Sequence, residues 1–110
     1  MPAVVFVSTL EPKNGRCDEL VELLAELAKH VRAEPGCIEY SVHRPLGDND
    51  GPLLVIQKYA SAEAYREHSS WVSGQIPRIS ELIATPPVPP TLFEPVQLGD
   101  DAARECPSGG

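Results

Sequence analysis

The sequence predicts an α+β domain with the element order β-α-β-β-α-β and an antiparallel sheet. Three observations carry that expectation. A long amphipathic run from Arg16 to about Ala33 has helical period. Two strand-like segments, Ile38 to Arg44 and Leu53 to Tyr59, are separated only by a turn rich in glycine and aspartate. A second, shorter helical stretch opens at Ser61 and is followed, after a proline-rich segment, by one more apolar run.

In chain order, Val4 to Leu10 is a β-branched run that ends at Glu11-Pro12-Lys13-Asn14-Gly15, a turn signal. In the first helix Leu20, Leu23, Leu24, Leu27, Ala28 and Val31 form one apolar stripe, while Glu19, Glu22, Glu26 and Lys29 fall mainly elsewhere on the wheel. Asp18 and Glu19 near its start, and Lys29, His30 and Arg32 near its end, suit the helix dipole. Glu34-Pro35-Gly36 stops it, because proline cannot continue the hydrogen-bond ladder and glycine permits the exit turn. Ile38, Tyr40 and Val42 then alternate with Glu39, Ser41 and His43, the period of a strand with two different faces. Leu53 to Tyr59 reads as its hairpin partner. Ser61 is a plausible N-cap for a helix from Ala62 to about Ser70. Trp71 to Ala84 carries a further helical pattern in Ile76, Ile79 and Ile83, with Pro77 best placed in a first turn. Thr85-Pro86-Pro87-Val88-Pro89-Pro90 is stiff and extended. Leu92 to Leu98 is the last strand, with Pro95 arguing for an edge or bulged position. Residues 1–98 form one domain, and 99–110, without periodicity, read as a disordered tail. This order is the ferredoxin-like arrangement.

A chain of 110 residues has room for one core and little left to wall off a large ligand site alone. A formal charge of -7 repels nucleic acid and anionic lipid, so neither is an expected partner. No stretch approaches a membrane span, and Met1-Pro2-Ala3 leads into an apolar run without a basic leader, so a cytoplasmic protein is expected. Cys17, Cys37 and Cys106 lack metal-ligand spacing and read as reduced, non-catalytic thiols. The histidines are scattered and no glycine-rich loop joins a strand to a helix, so no metal, flavin or nicotinamide cofactor is expected.

With both helices on one side, the other side of the sheet needs a cover, and a face-to-face homodimer supplies one. By alternation that side takes some of Ser8, Ser41, His43, Gln57, Tyr59 and Phe93. The surface that pairing covers would then also be the pocket. Its polar residues read equally as a site or as an interface.

Two stretches carry a family resemblance. One is Glu34-Pro35-Gly36-Cys37-Ile38-Glu39-Tyr40. The other runs from Val55-Ile56-Gln57-Lys58-Tyr59 through Ala60-Ser61-Ala62-Glu63-Ala64-Tyr65-Arg66-Glu67-His68, an apolar strand entering a helix with its tyrosine and histidine three apart. Together they resemble the antibiotic biosynthesis monooxygenase superfamily of dimeric α/β barrels, over about residues 3 to 96. Its members include cofactor-free oxygenases of polyketide phenols, quinol oxygenases, haem-degrading enzymes and isomerases. His68 matches the histidine often found at the end of the short helix. Tyr59 stands where many members have tryptophan, and Ser8 where haem degraders carry asparagine. Trp71 follows His68, whereas haem degraders place their tryptophan ahead of the histidine. The aromatic oxygenases are therefore the better match.

The resemblance implies cofactor-independent oxidation of a small anthrone- or quinol-like aromatic, with His68 as base and Tyr59 and Gln57 orienting the substrate. Candidate substrate-binding groups are Ser8, His43, Tyr65, Trp71 and Arg78. Each has a structural alternative: His68 as a hydrogen-bonding partner of a helix end, Tyr59, Tyr65 and Trp71 as packing, His43 at a dimer seam, Arg78 as a solvated arginine. The alternatives for the whole chain are a non-catalytic dimeric ligand-binding or accessory protein, and a polyketide isomerase or cyclase.

Overall fold

A computed structural model describes residues 2–98; the tail expected at 99–110 lies outside them. The elements are β1 (Val4–Leu10), α1 (Cys17–Ala33), β2 (Cys37–His43), β3 (Leu53–Tyr59), α2 (Ala62–Ser73), α3 (Ile76–Ser80) and β4 (Leu92–Phe93). The strands form one sheet in the order β2-β3-β1-β4, with every pair antiparallel. This is the ferredoxin-like topology that the periodicity predicts, with α3 added.

The registers decide which side chains share a face. Val4 opposes Tyr59, Phe6 opposes Gln57 and Ser8 opposes Val55 across β1 and β3, while Tyr40 of β2 opposes Gln57. Val4, Phe6, Tyr40, Leu53, Val55, Gln57 and Tyr59 of this set are buried under the helices. The alternate set looks outward: Val5, Val7, Leu54, Ile56 and Lys58, with Ser41 and His43 from β2 and Phe93 opposite Val5. The expected pooling of Ser8, Gln57 and Tyr59 with Ser41, His43 and Phe93 is thus corrected. Alternation sorts residues into two sets without saying which set meets the helices. Here a buried glutamine in the inner set and two exposed aliphatics in the outer one blur the contrast.

Against the inner face α1 lays the predicted stripe of Leu20, Leu23, Leu24, Leu27, Ala28 and Val31, all buried. Leu20 is fully enclosed, so truncating it to alanine would cost about 2–5 kcal/mol. The Ser61 hydroxyl accepts from the Ala64 N–H at 3.1 Å, capping α2 as expected. That helix continues beyond Ser70 to Ser73, since no breaker intervenes before Gly74, and so carries Trp71. Pro77 sits in the first turn of α3. After α3 the chain is tied to the end of β1: the Lys13 N–H donates to the Leu82 carbonyl at 2.8 Å, and the Ala84 N–H to that of Glu11 at 2.7 Å. β4 spans two residues rather than the expected Leu92 to Leu98. Pro95 has no N–H to extend the ladder.

The exit from α1 is closely fitted. The Cys37 N–H closes a turn onto the Glu34 carbonyl at 3.1 Å, with Pro35 second and Gly36 third at φ +87°. Proline then positive-φ glycine is the chemistry of a type II turn. The Ala60 N–H donates to the Gly36 carbonyl at 2.8 Å, and a Cβ on Gly36 would stand 2.7 Å from that of Ala64 in α2. Gly36→Ala should therefore destabilise the fold by about 1–3 kcal/mol in urea titrations. Gly15→Ala, at φ +77° with nothing within 4 Å, should cost less. Equal losses would mean that backbone strain alone, and not the contact with α2, sets the effect.

Candidate functional site

Between the inner sheet face, the helices and the segment 85–91 lies a cavity of about 1070 Å³. Its volume is at the upper end of the range of small-molecule sites. Phe6 and Ser8 reach it from β1, Val55 and Gln57 from β3, Leu24, Leu27 and Val31 from α1, and Tyr65, His68 and Trp71 from α2. Among the described residues lining it there is no lysine or arginine, and Glu11 is the one carboxylate. A neutral, largely apolar ligand fits such a wall better than an anion.

Two polar side chains stand out. Gln57 is only 7% exposed, and its Oε1 has no hydrogen-bond partner among the described residues. A buried acceptor left unpaired costs roughly 1–3 kcal/mol, which a donor on a bound molecule or a water would recover. His68, 3% exposed, lies at the same cavity with its Nδ1 3.0 Å from Glu34 Oε1. The same oxygen accepts the Tyr59 hydroxyl at 2.7 Å, and Glu34 Oε2 lies 3.4 Å from His30 Nε2. The His30 ring stacks on Trp71 with centroids 3.7 Å apart and planes within 9°. Phe6 meets Tyr65 edge-on at 5.0 Å, and Tyr59 lies 5.1 Å from the His68 ring.

Burial holds the His68 pKa below its usual value, with Glu34 pulling the other way and His30 adding to the depression. The ring is therefore neutral at physiological pH. Burial, reinforced by the bond to Glu34, drives the Tyr59 phenol far upward, so it remains a donor. Burial likewise pushes Tyr40, another cavity residue, up to about 12. Cys17 and Cys37 are free thiols, and burial followed by the Glu34 charge raises that of Cys37, which leaves it a poor nucleophile.

Of the residues singled out in the sequence, the cavity gathers Ser8, Gln57, Tyr65, His68 and Trp71. Tyr59 lies fully buried behind the wall, with its hydroxyl committed to Glu34. His43 is exposed on the outer face, bonded to the Ser41 hydroxyl at 2.9 Å. Arg78 is exposed and engages Glu26 at 2.7 Å and Gln75 at 3.2 Å. The sequence pattern marks Glu34 as a helix stop and as part of a family motif, with no site role, and marks the proline segment only as a connector. The available signals for Glu34 were the tight Pro-Gly turn that follows it and its place at the head of that motif.

The sequence model described as antibiotic biosynthesis monooxygenase matches residues 3–70. The chain belongs to this family. Comparison with curated proteins returned no match. Among solved structures, Rv0793 from Mycobacterium tuberculosis superposes with a TM-score of 0.76 at 23% identity, covering 89% of this chain and 99% of its own. A conserved protein from Methanosarcina mazei Go1 gives 0.74 at 20% identity, with 84% and 92% covered. SnoaB from Streptomyces nogalater, described as a cofactor-independent oxygenase, gives 0.73 at 17% identity, with 88% and 96% covered. At these identities the likeness is one of fold. Among the described residues no group of three or more His, Cys, Asp or Glu is arranged to hold a metal ion, and no helix is long and apolar enough to cross a membrane.

A neutral, buried histidine ties stability to pH. The unfolded chain takes up a proton on His68 near pH 6.5, while the folded chain resists until lower pH. Stability from this group is complete above about pH 6.5 and is lost as the pH falls toward the folded-state value. Urea midpoints between pH 8 and pH 5 should decline more steeply for the native chain than for His68→Gln. Parallel slopes would assign the acid sensitivity elsewhere.

Proposed function

We propose that this protein is a cofactor-independent oxygenase of a small, electron-rich aromatic, of anthrone or hydroquinone type. The observation that carries the reading is a neutral, buried His68 and an unpartnered Gln57 Oε1 on one apolar cavity. A base must be unprotonated before it can act, and the lowered pKa keeps His68 so. His68 takes the acidic proton of the substrate, and Gln57 Oε1 accepts a hydrogen bond from a substrate hydroxyl. The carbanion or phenolate passes an electron to dioxygen, and the radical pair recombines at carbon as a hydroperoxide. Loss of water leaves a carbonyl, so an anthrone CH2 and O2 give C=O and H2O. Ser8, Tyr65 and Trp71 shape the space around the ring system, and the apolar walls exclude water from the anion. Tyr59 acts behind this surface, on Glu34. Family membership and the likeness to SnoaB support the choice of reaction class.

The working form is a homodimer, as the resemblance implies. The outer sheet face presents Val5, Val7, Leu54, Ile56 and Phe93 around a mostly uncharged centre, with Val7 41% and Phe93 57% exposed in the single chain. A second copy, meeting the same patch by two-fold symmetry, removes it from water.

Oxygen uptake with an anthrone and with a hydroquinone tests the chemistry. The native chain should exceed the uncatalysed rate, and His68→Ala should lose about 100-fold or more of that excess. Anthrone binding without extra uptake would overturn the oxygenase and leave a ligand-binding protein. Sedimentation tests assembly: the native chain should run at twice the mass of 11.9 kDa and Leu54→Glu, on the outer face, as a monomer. A native monomer at micromolar concentration would contradict the pairing.

A further inference from the structure

We infer that Glu34 is a positioning residue: it fixes the His68 proton on Nδ1 and so turns the Nε2 lone pair toward the cavity. The inference rests on the reading of His68 as base, although its test does not require turnover. An imidazole in water carries its proton on either nitrogen, and the partner at one nitrogen decides the role of the other. Here Nδ1 lies 3.0 Å from Glu34 Oε1, an atom that can only accept from it. The Tyr59 hydroxyl, held in its protonated form, donates to the same oxygen at 2.7 Å. A carboxylate oxygen that accepts from the phenol has no hydrogen of its own to give the ring. The neutral ring must then bear its hydrogen at Nδ1. Nε2 is then the unprotonated nitrogen of a side chain that lines the cavity.

The local fold is built to hold this arrangement. Glu34 follows α1 directly, and Pro35 with positive-φ Gly36 turns the chain so that the carboxylate meets α2. The 2.7 Å clearance at Gly36 sets how near α2 comes. The ionisable groups facing His68 are Glu34 and His30 from the end of α1 and Tyr59 from β3. His30 Nε2 stands 3.4 Å from Glu34 Oε2, the other oxygen of the carboxylate.

The test is nitrogen NMR on the full chain labelled at its three histidines, with His68→Gln identifying the His68 signals. At pH 8 the native His68 should show a protonated Nδ1 and a bare Nε2. Glu34→Gln keeps an acceptor and removes the charge, and should move the His68 titration to lower pH while retaining the Nδ1–H form. Glu34→Ala should release the ring to a mixture of tautomers. Glu26→Gln, which removes an exposed carboxylate paired with Arg78, should change neither property. A native ring protonated at Nε2 overturns the inference, even if Glu34→Ala proves too unstable to study. So does a Glu34→Gln protein whose His68 titrates as in the native chain. Absence of oxygen uptake beside an Nδ1–H ring would remove the proposed reaction and leave this assignment standing. Uptake beside an Nε2–H ring would do the reverse.

Discussion

A carboxylate stands at the end of α1, where the helix dipole disfavours negative charge and where little water reaches it. Its position is tolerable because three side chains converge on it: the hydroxyl of Tyr59 and the ring nitrogens of His68 and His30. Each comes from a different part of the chain, a strand and two helices, so the Glu34 node ties β3 and α2 to the exit of α1. The surrounding details serve that junction. Gly36 lets the chain turn without a side chain in the way, and the N–H of Ala60 clasps the turn from the end of β3. Losing one donor would leave the others holding a poorly compensated charge, which is why such nodes are sensitive to single changes.

The sheet largely separates two tasks, which meet only along β1 and β4, where Val7 and Phe93 of the outer set also touch the cavity. Its inner face carries the cavity, with Gln57 and the aromatic residues around His68. Its outer face carries aliphatic side chains that a single copy leaves in water. The two sets interleave residue by residue along β3: Val55 and Gln57 inward, Leu54, Ile56 and Lys58 outward. One strand thus contributes to both surfaces without either set of side chains meeting the other.

Much of this was legible from local pattern. β1 and β3 match their predicted limits, and α1 begins one residue late, because β-branched runs and a leucine stripe are decided by near neighbours. The cap at Ser61 was visible for the same reason. The face assignment was not, since period-two alternation is symmetric until something is packed on one side. Nor was Glu34: its partners Tyr59 and His68 lie 25 and 34 residues along the chain, and nothing in Glu34-Pro35-Gly36 names them. Arg78 and His43 show the converse. Their chemistry suited a site, but one sits on a helix surface beside Glu26 and the other on the outward face of β2.

The segment from Thr85 to Thr91 makes up one wall of the cavity, and four of its residues, Pro86, Pro87, Pro89 and Pro90, have no backbone N–H. Such a wall can receive hydrogen bonds at its carbonyls but has few to give. A molecule bearing hydroxyls finds partners there, whereas one whose rim is all carbonyl oxygen does not. Oxidising a hydroquinone to a quinone turns its hydroxyls into carbonyls and so moves a ligand from the first class to the second. Were the proposed oxidation to act on such a ligand, the proline strap would offer the product fewer partners than the substrate.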